Sequence, residues 1–421
     1  MRFIYSLALL LLMPVALPWL AWRTVRQTGR MDRLSDRIGS SPYMPPHETI
    51  WIHGASVGEI RSAAPLVKAL HQKYPQRPIL GTSFSGAGRV HAQELFGDRV
   101  MVAQLPYDLP FFVNRWLRTV QPAVGVIIET EIWPNVLAAC TRYKVPVLMV
   151  SARVSGRSMR RYQKMQRLTR TALQRVSMIY AQSPGDAERF RELGAAPERI
   201  SIGGNLKFDI RFADDLTPRA QALRQRLFSG LGALIAGSTR DGEEQIVLQA
   251  FAQVRVRQPD SVLVLAPRHP ERADAVAALV KKAGLTCRRR SAGETTLSAG
   301  DVLLVDTLGE LALFYAAGDV AFVGGSLVPV GGHNLLEPAA LGKPVLSGPS
   351  LENVRESAEA LKIAGVLTLV QDAKTLADAA VWLLANATMR DRIGQVALDA
   401  VTANRGALER ALALIEQHIK H

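Results

Sequence analysis

Ser56 and Glu59 stand three residues apart in "HGASVGEI", a stretch that offers two different chemistries. Gly54-Ala55-Ser56-Val57-Gly58 is a G-x-S-x-G, the pattern of a hydrolase nucleophile elbow, and Asp306 and His333 follow in the order that a triad would need. Glu59, at the first turn of the helix expected next, can instead act as a general base that takes a proton from an alcohol. The N–H groups of a helix start favour the carboxylate anion, so its pKa is expected to be low. From position alone, a Glu that merely supports its helix is the commoner case. The elbow reading needs an earlier strand to carry the oxyanion loop, and "TIWIH" is the first strand of its run.

Further candidates sit at strand ends. Glu129 and Glu131 follow the apolar "AVGVII"; the pair can shape a site, bind a cation or cap the helix expected near Pro134. In "VAFVGGSLVPVGGHNLLEPAALGKPV", Gly324, Gly325 and Ser326 follow a strand, and Gly331, Gly332, His333 and Asn334 precede an expected helix. Glycines let backbone approach a ligand, and helix N–H groups suit a phosphate. Glu337 is placed to accept from ribose hydroxyls. Arg268 and His269 in "LAPRHPER" follow another strand. There is no Walker A lysine, no G-x-G-x-x-G and no D-x-D, which argues against ATPase, dehydrogenase and metal-held nucleotide diphosphate chemistry.

The elements that must position these residues form two runs of short apolar strands alternating with helices. Such a pattern predicts parallel sheets covered on both faces. The expected fold is α/β with two doubly wound, Rossmann-like domains facing each other and a ligand at the carboxyl ends of their strands. Domains are expected at 46–206 and 230–390. A polar joint spans 207–229, and a C-terminal helix from 391 to 421 is expected to pack back on the first domain. Residues 1–22 include the uncharged, Leu-rich run Phe3 to Trp22, of membrane-crossing length. Arg23, Arg26, Arg30, Arg33 and Arg37 lie in a basic linker, 23–45, which places the body in the cytoplasm. The two prolines at 14 and 18 leave an interfacial helix as the alternative.

The 421 residues carry a net charge of +14, which implies an anionic partner. Eight Arg and Lys between Arg153 and Arg175, with no acid among them, fit anionic lipid headgroups better than nucleic acid, since aromatic interleaving is thin. Cys140 and Cys287 lack metal-type spacing and fit a reducing compartment.

With these residues in place, the sequence resembles the 3-deoxy-D-manno-octulosonic acid (Kdo) transferases of lipopolysaccharide assembly. "HGASVGE", "ETEIWPN", "GNLKFD", "AGSTRDGEE", "PRHPER" and "GGSLVPVGGHNLLEPAALGKPV" match that family's stretches in order. The resemblance implies a GT-B fold and an inverting transfer of Kdo from CMP-Kdo to lipid IVA at the cytoplasmic face of the inner membrane, without metal or cofactor. It implies Glu59 as general base, Ser56, Glu131 and Lys207 at the acceptor side, and Arg268, His269, Gly325, Ser326, Gly332, Asn334 and Glu337 at the donor. Three departures stand out: Arg240 and Ser151 replace an expected His and Asn, and "GTSFSGAG" differs from the usual type. Other readings are a GT-B envelope enzyme using a UDP-sugar, a serine hydrolase, and a non-enzymatic binder of anionic lipid.

Overall fold

A computed structural model describes residues 1–28, 34–41, 43, 48–210, 212–293, 296–403 and 405–419. The chain forms two compact units, Met1–Asp209 with Asn404–His421, and Ile210–Ala403.

In the first unit, seven short strands form one parallel sheet: β1 (Ile50–His53), β2 (Ile79–Ser83), β3 (Met101–Gln104), β4 (Val124–Ile128), β5 (Val147–Ala152), β6 (Met178–Ala181) and β7 (Ile200–Ile202). Their order is β3-β2-β1-β4-β5-β6-β7. Alternation along β1 feeds both faces. Trp51 joins Trp116 and Phe190 in one core, while Ile50 and Ile52 join Ile60, Leu66 and Leu70 in the other. The C-terminal helix Ala407–Ile419 seals this second face with Leu408, Leu414 and Ile415, each worth about 1.5–3 kcal/mol when fully buried. Asp209 accepts from the Leu408 N–H at 2.7 Å and pins its start.

The second unit repeats the plan with β8 (Gly232–Thr239), β9 (Ser261–Pro267), β10 (Cys287–Arg289), β11 (Val302–Leu304), β12 (Val320–Val323), β13 (Val345–Ser347) and β14 (Leu367–Leu369), ordered β10-β11-β9-β8-β12-β13-β14. All registers in both sheets are parallel. In each sheet the strand order reverses beside the first strand, at β1/β4 and at β8/β12. Loops after those strands diverge there and leave a crevice.

Several expectations need adjustment. The joint at 207–229 holds a helix, Leu216–Leu227. The basic stretch after β5 is two helices, Gly156–Lys164 and Gln166–Leu173, broken at Met165. The C-terminal stretch is also two helices, Ala387–Thr402 in the second unit and Ala407–Ile419 in the first. The expected single membrane anchor over residues 1–22 is not supported. Arg2–Thr28 is a helix, yet among the described residues no helix is long and apolar enough to cross a membrane. Side chains 15–21 and 23–28, on which the apolar run and part of its arginine flank depend, lie outside the described residues, as do Arg30 and Arg33. The N-terminal turns dock through polar groups: the Asn135 amide donates to Ser6 Oγ at 3.0 Å.

Candidate active site

The turn after β1 is built to hold one carboxylate. Gly54 donates to the Thr82 carbonyl at 3.0 Å, and Ser83 Oγ and the Ser85 N–H both donate to the Ala55 carbonyl. Ser83 and Ser85 belong to "GTSFSGAG", so that departure supplies the turn's own supports. Ser56 is the N-cap of the helix Val57–Lys73, its Oγ accepting from the Glu59 N–H. Glu59 reaches back reciprocally: Oε2 accepts from the Ala55 N–H at 2.5 Å and Oε1 from the Ser56 hydroxyl at 3.0 Å. A Cβ on Gly54 would lie 3.1 Å from the Glu59 Cβ, so a glycine there lets the carboxylate fold back.

Beside β1 across the reversal point, the loop after β4 brings two more acids. Glu129 adopts a left-handed φ of 61°, uncommon for a residue with a side chain. Its Oε1 accepts from Lys207 Nζ at 2.7 Å. Lys207 comes from the 3-10 turn Leu206–Phe208, anchored because the Leu206 N–H donates to Ser151 Oγ at 3.0 Å. Ser151 itself has φ 54°, a conformation that Asn tolerates better than most residues. The hydroxyl at 151 therefore anchors the lysine turn, at some backbone cost.

Burial and neighbouring charge raise Glu59 and Glu131. Burial, then the charge of Glu129, raises Glu59 to about 7, outweighing the hydrogen bonds from Ala55 and Ser56 and the attraction of Lys207. Burial, then the charge of Glu59, raises Glu131 to about 8, against the pull of Arg161. This corrects the expected low pKa of Glu59: the helix start does donate to it, but desolvation and a like charge win. Among the described residues no group of three or more His, Cys, Asp and Glu is arranged to hold a metal ion.

Ser56 is not organised as a hydrolase nucleophile. It bonds Glu59 rather than an imidazole. His333 and Asp306 belong to the other unit and are engaged locally, Asp306 by the Ser291 N–H and hydroxyl, His333 by Arg240. His53, at the end of β1, is fully buried and pushed down to about 3, chiefly by burial, so it stays neutral.

In the second unit, the β8/β12 reversal gathers Arg240, Arg268, His269, His333, Asn334 and Glu337. Arg268 is exposed at the end of β9. Glu337 lies in the short helix Leu336–Ala339; burial raises its pKa and Arg268 opposes that. Asn334 Oδ1 accepts from the Leu336 N–H. The Gly325 and Ser326 amides, in the loop expected at the donor, are already taken: Glu243, fully buried, accepts from Gly325 (2.7 Å), Ser326 (3.0 Å), Leu327 (2.9 Å) and Arg240 (3.1 Å). Gly325 has φ +69°, and a Cβ there would lie 2.7 Å from the His333 ring. Gly332, φ +78°, donates to the Gly325 carbonyl at 2.8 Å. Gly325, Gly332 and Ser326 thus build the loop, and Glu243 is the residue that sequence reading passed over. Its only signal was an acid pair, Glu243-Glu244, opening a helix just after a strand.

Residues 32–210 match the family described as 3-Deoxy-D-manno-octulosonic-acid transferase (kdotransferase). Over 100% of this chain and 99% of the relative, the sequence is 37% identical to a 3-deoxy-D-manno-octulosonic acid transferase of Haemophilus influenzae. A Bordetella pertussis protein of the same name is 36% identical over 99% of both chains. Among solved structures, a UDP-GlcNAc 2-epimerase from Neisseria meningitidis superimposes with a TM-score of 0.51 at 13% identity, covering 87% of this chain and 100% of that one; the likeness is one of fold.

Proposed function

Since the chain belongs to the 3-deoxy-D-manno-octulosonic acid transferase family of glycosyltransferases, we propose that it moves Kdo from CMP-Kdo to lipid IVA by a single inverting displacement without metal, at the cytoplasmic face of the inner membrane. The observation that carries the reading is the Glu59 carboxylate, bonded to Ala55 and Ser56 and raised to about 7. A base is most useful when its pKa lies near the working pH. An acceptor hydroxyl gives its proton to Glu59 as its oxygen bonds the anomeric carbon, the bond to the phosphate oxygen breaks, and CMP leaves. One displacement at that carbon inverts it.

Ser56 orients the base. Lys207 and Glu131 flank it, with Lys207 tied to Glu129, and are suited to the acid sugar or the phosphorylated acceptor. On the donor side Arg268 meets charge that grows on the leaving phosphate, Glu337 accepts from ribose hydroxyls, and Asn334, His269 and Gly332 shape the pocket wall. Anionic lipid fits the exposed Arg157, Arg160, Arg161, Lys164, Arg167 and Arg170. The exposed apolar side chains of Phe3, Ile4, Leu7, Leu10 and Leu11 fit attachment to a membrane surface.

The test is incubation of the purified chain with CMP-Kdo and lipid IVA. Release of CMP together with a product heavier by whole Kdo units supports the reading, and the mass counts the units added. Turnover with a UDP-sugar and none with CMP-Kdo would replace it by the envelope-glycosyltransferase alternative.

A further inference from the structure

The second unit holds a half-buried guanidinium whose only side-chain partners among the described residues are imidazoles. Arg240 follows β8 directly. Its Nε donates to His333 Nε2 at 3.3 Å, and its Nη1 lies 2.5 Å from His269 Nε2. A guanidinium cannot accept, so both rings accept at Nε2 and carry their proton on Nδ1. For His269 that Nδ1 lies 3.2 Å from Glu271 Oε1, so the ring is engaged on both sides. The nearby acids are occupied: Glu243 by four backbone N–H groups, Glu244 by Arg272 and Thr239, and Asp241 by Arg272. Among the described residues no carboxylate forms an ion pair with Arg240.

A cation out of bulk water without a counter-charge is unfavourable unless a ligand supplies one. Three loops, after β8, β9 and β12, converge on this group, and those strands are neighbours in the sheet. The two imidazoles fix the plane of the fork without cancelling its charge. The amide nest that would otherwise hold an anion is filled by Glu243.

We propose that Arg240 binds the phosphate of the nucleotide donor, and that His269 and His333 are positioning residues that aim its guanidinium. The inference rests on the donor reading above and sharpens it. A charge-assisted fork suits a phosphate whose negative charge grows as the sugar leaves.

Calorimetry on the full chain, with CMP and cytidine as probes, tests it. The wild type should bind CMP more tightly than cytidine. Arg240→Ala should lose about ten- to hundredfold in CMP affinity and keep its cytidine affinity. His269→Phe should weaken CMP by a smaller factor, again sparing cytidine. Arg240→Lys keeps the charge without the fork; it should fall between wild type and Arg240→Ala, and it stands in if the alanine variant fails to fold. Unchanged CMP affinity in the Arg240 variants, or an equal loss for both probes, overturns the inference. A wild type that binds neither probe sinks the donor reading itself, and this inference with it.

Discussion

Glu129→Gln changes one charge in the carboxylate cluster and almost nothing else. Glutamine keeps the shape of the side chain and tolerates the φ of 61° as well as glutamate does. In the native chain the charge of Glu129 is the second cause, after burial, that lifts Glu59 to about 7. It also holds Lys207 at 2.7 Å. Removing it acts twice in one direction: a like charge disappears, and the ammonium, no longer opposed by that carboxylate, favours the Glu59 anion more strongly. Removing one nearby like charge typically shifts a carboxyl pKa by about one unit, equivalent to about 1.4 kcal/mol. As the proposed base, Glu59 must be ionised to accept a proton, so kcat/KM should rise with pH through its pKa and level off above it. The variant's rise should therefore come about one pH unit lower, near pH 6. Initial rates of CMP release between pH 5.5 and 9 at constant ionic strength measure this. The height of the plateau can fall if Lys207 is misplaced, and Glu131, which feels the charge of Glu59, titrates higher, so the readout is the direction in which the acid limb moves. A midpoint that stays put or moves upward refutes the electrostatic account of the site.

Glu59→Gln should lower kcat roughly 10²–10⁴-fold and flatten the acid limb, whereas Ser56→Ala, which loses an N-cap worth about 1 kcal/mol and one bond to the anion, should cost less than tenfold and move the limb upward. The reverse pattern in steady-state kinetics would revive the elbow reading. Glu337→Gln removes a charged acceptor for ribose hydroxyls, worth roughly 1.5–3 kcal/mol, so donor KM should rise; unchanged CMP affinity by calorimetry would take Glu337 out of the donor site. Glu243→Ala leaves four N–H groups without their carboxylate, at roughly 1–3 kcal/mol for each one that stays buried and unpaired. Its thermal midpoint should fall by well over 5 °C, and a wild-type melting curve would contradict the assigned role.

Local order was readable in the sequence. The two runs of apolar strands expected from the sequence both occur, because a strand covered on both faces must be apolar along its length. The strand missed is Cys287–Arg289, three residues at a sheet edge, two of them arginine. Breaks at Met165 and around Gly406 also escaped, since each interrupts a run of good helix formers. The turn that presents Glu59 was legible because Gly54, Ser56 and Glu59 act within six residues. Its pKa was not. The groups that set it, Glu129 and Lys207, arrive from 70 and 148 residues away along the chain, and burial has no local signature. Glu243 was hidden for the same reason: it meets the amides of Gly325 and Ser326 across 82 and 83 positions.

Glu243 has a consequence for how the second unit breathes. Four N–H groups that converge on one buried carboxylate do not open singly, because freeing any one of them leaves the anion under-solvated in the interior. They should exchange with solvent deuterium together, as one cooperative element, at a rate set by the opening of the whole loop. A loop held this way should change shape little when the proposed nucleotide arrives, so little ordering entropy should be lost. Selectivity on that side then falls to the side chains around the loop, and a change of donor in this scaffold would be made at those side chains, leaving the loop's backbone as it is.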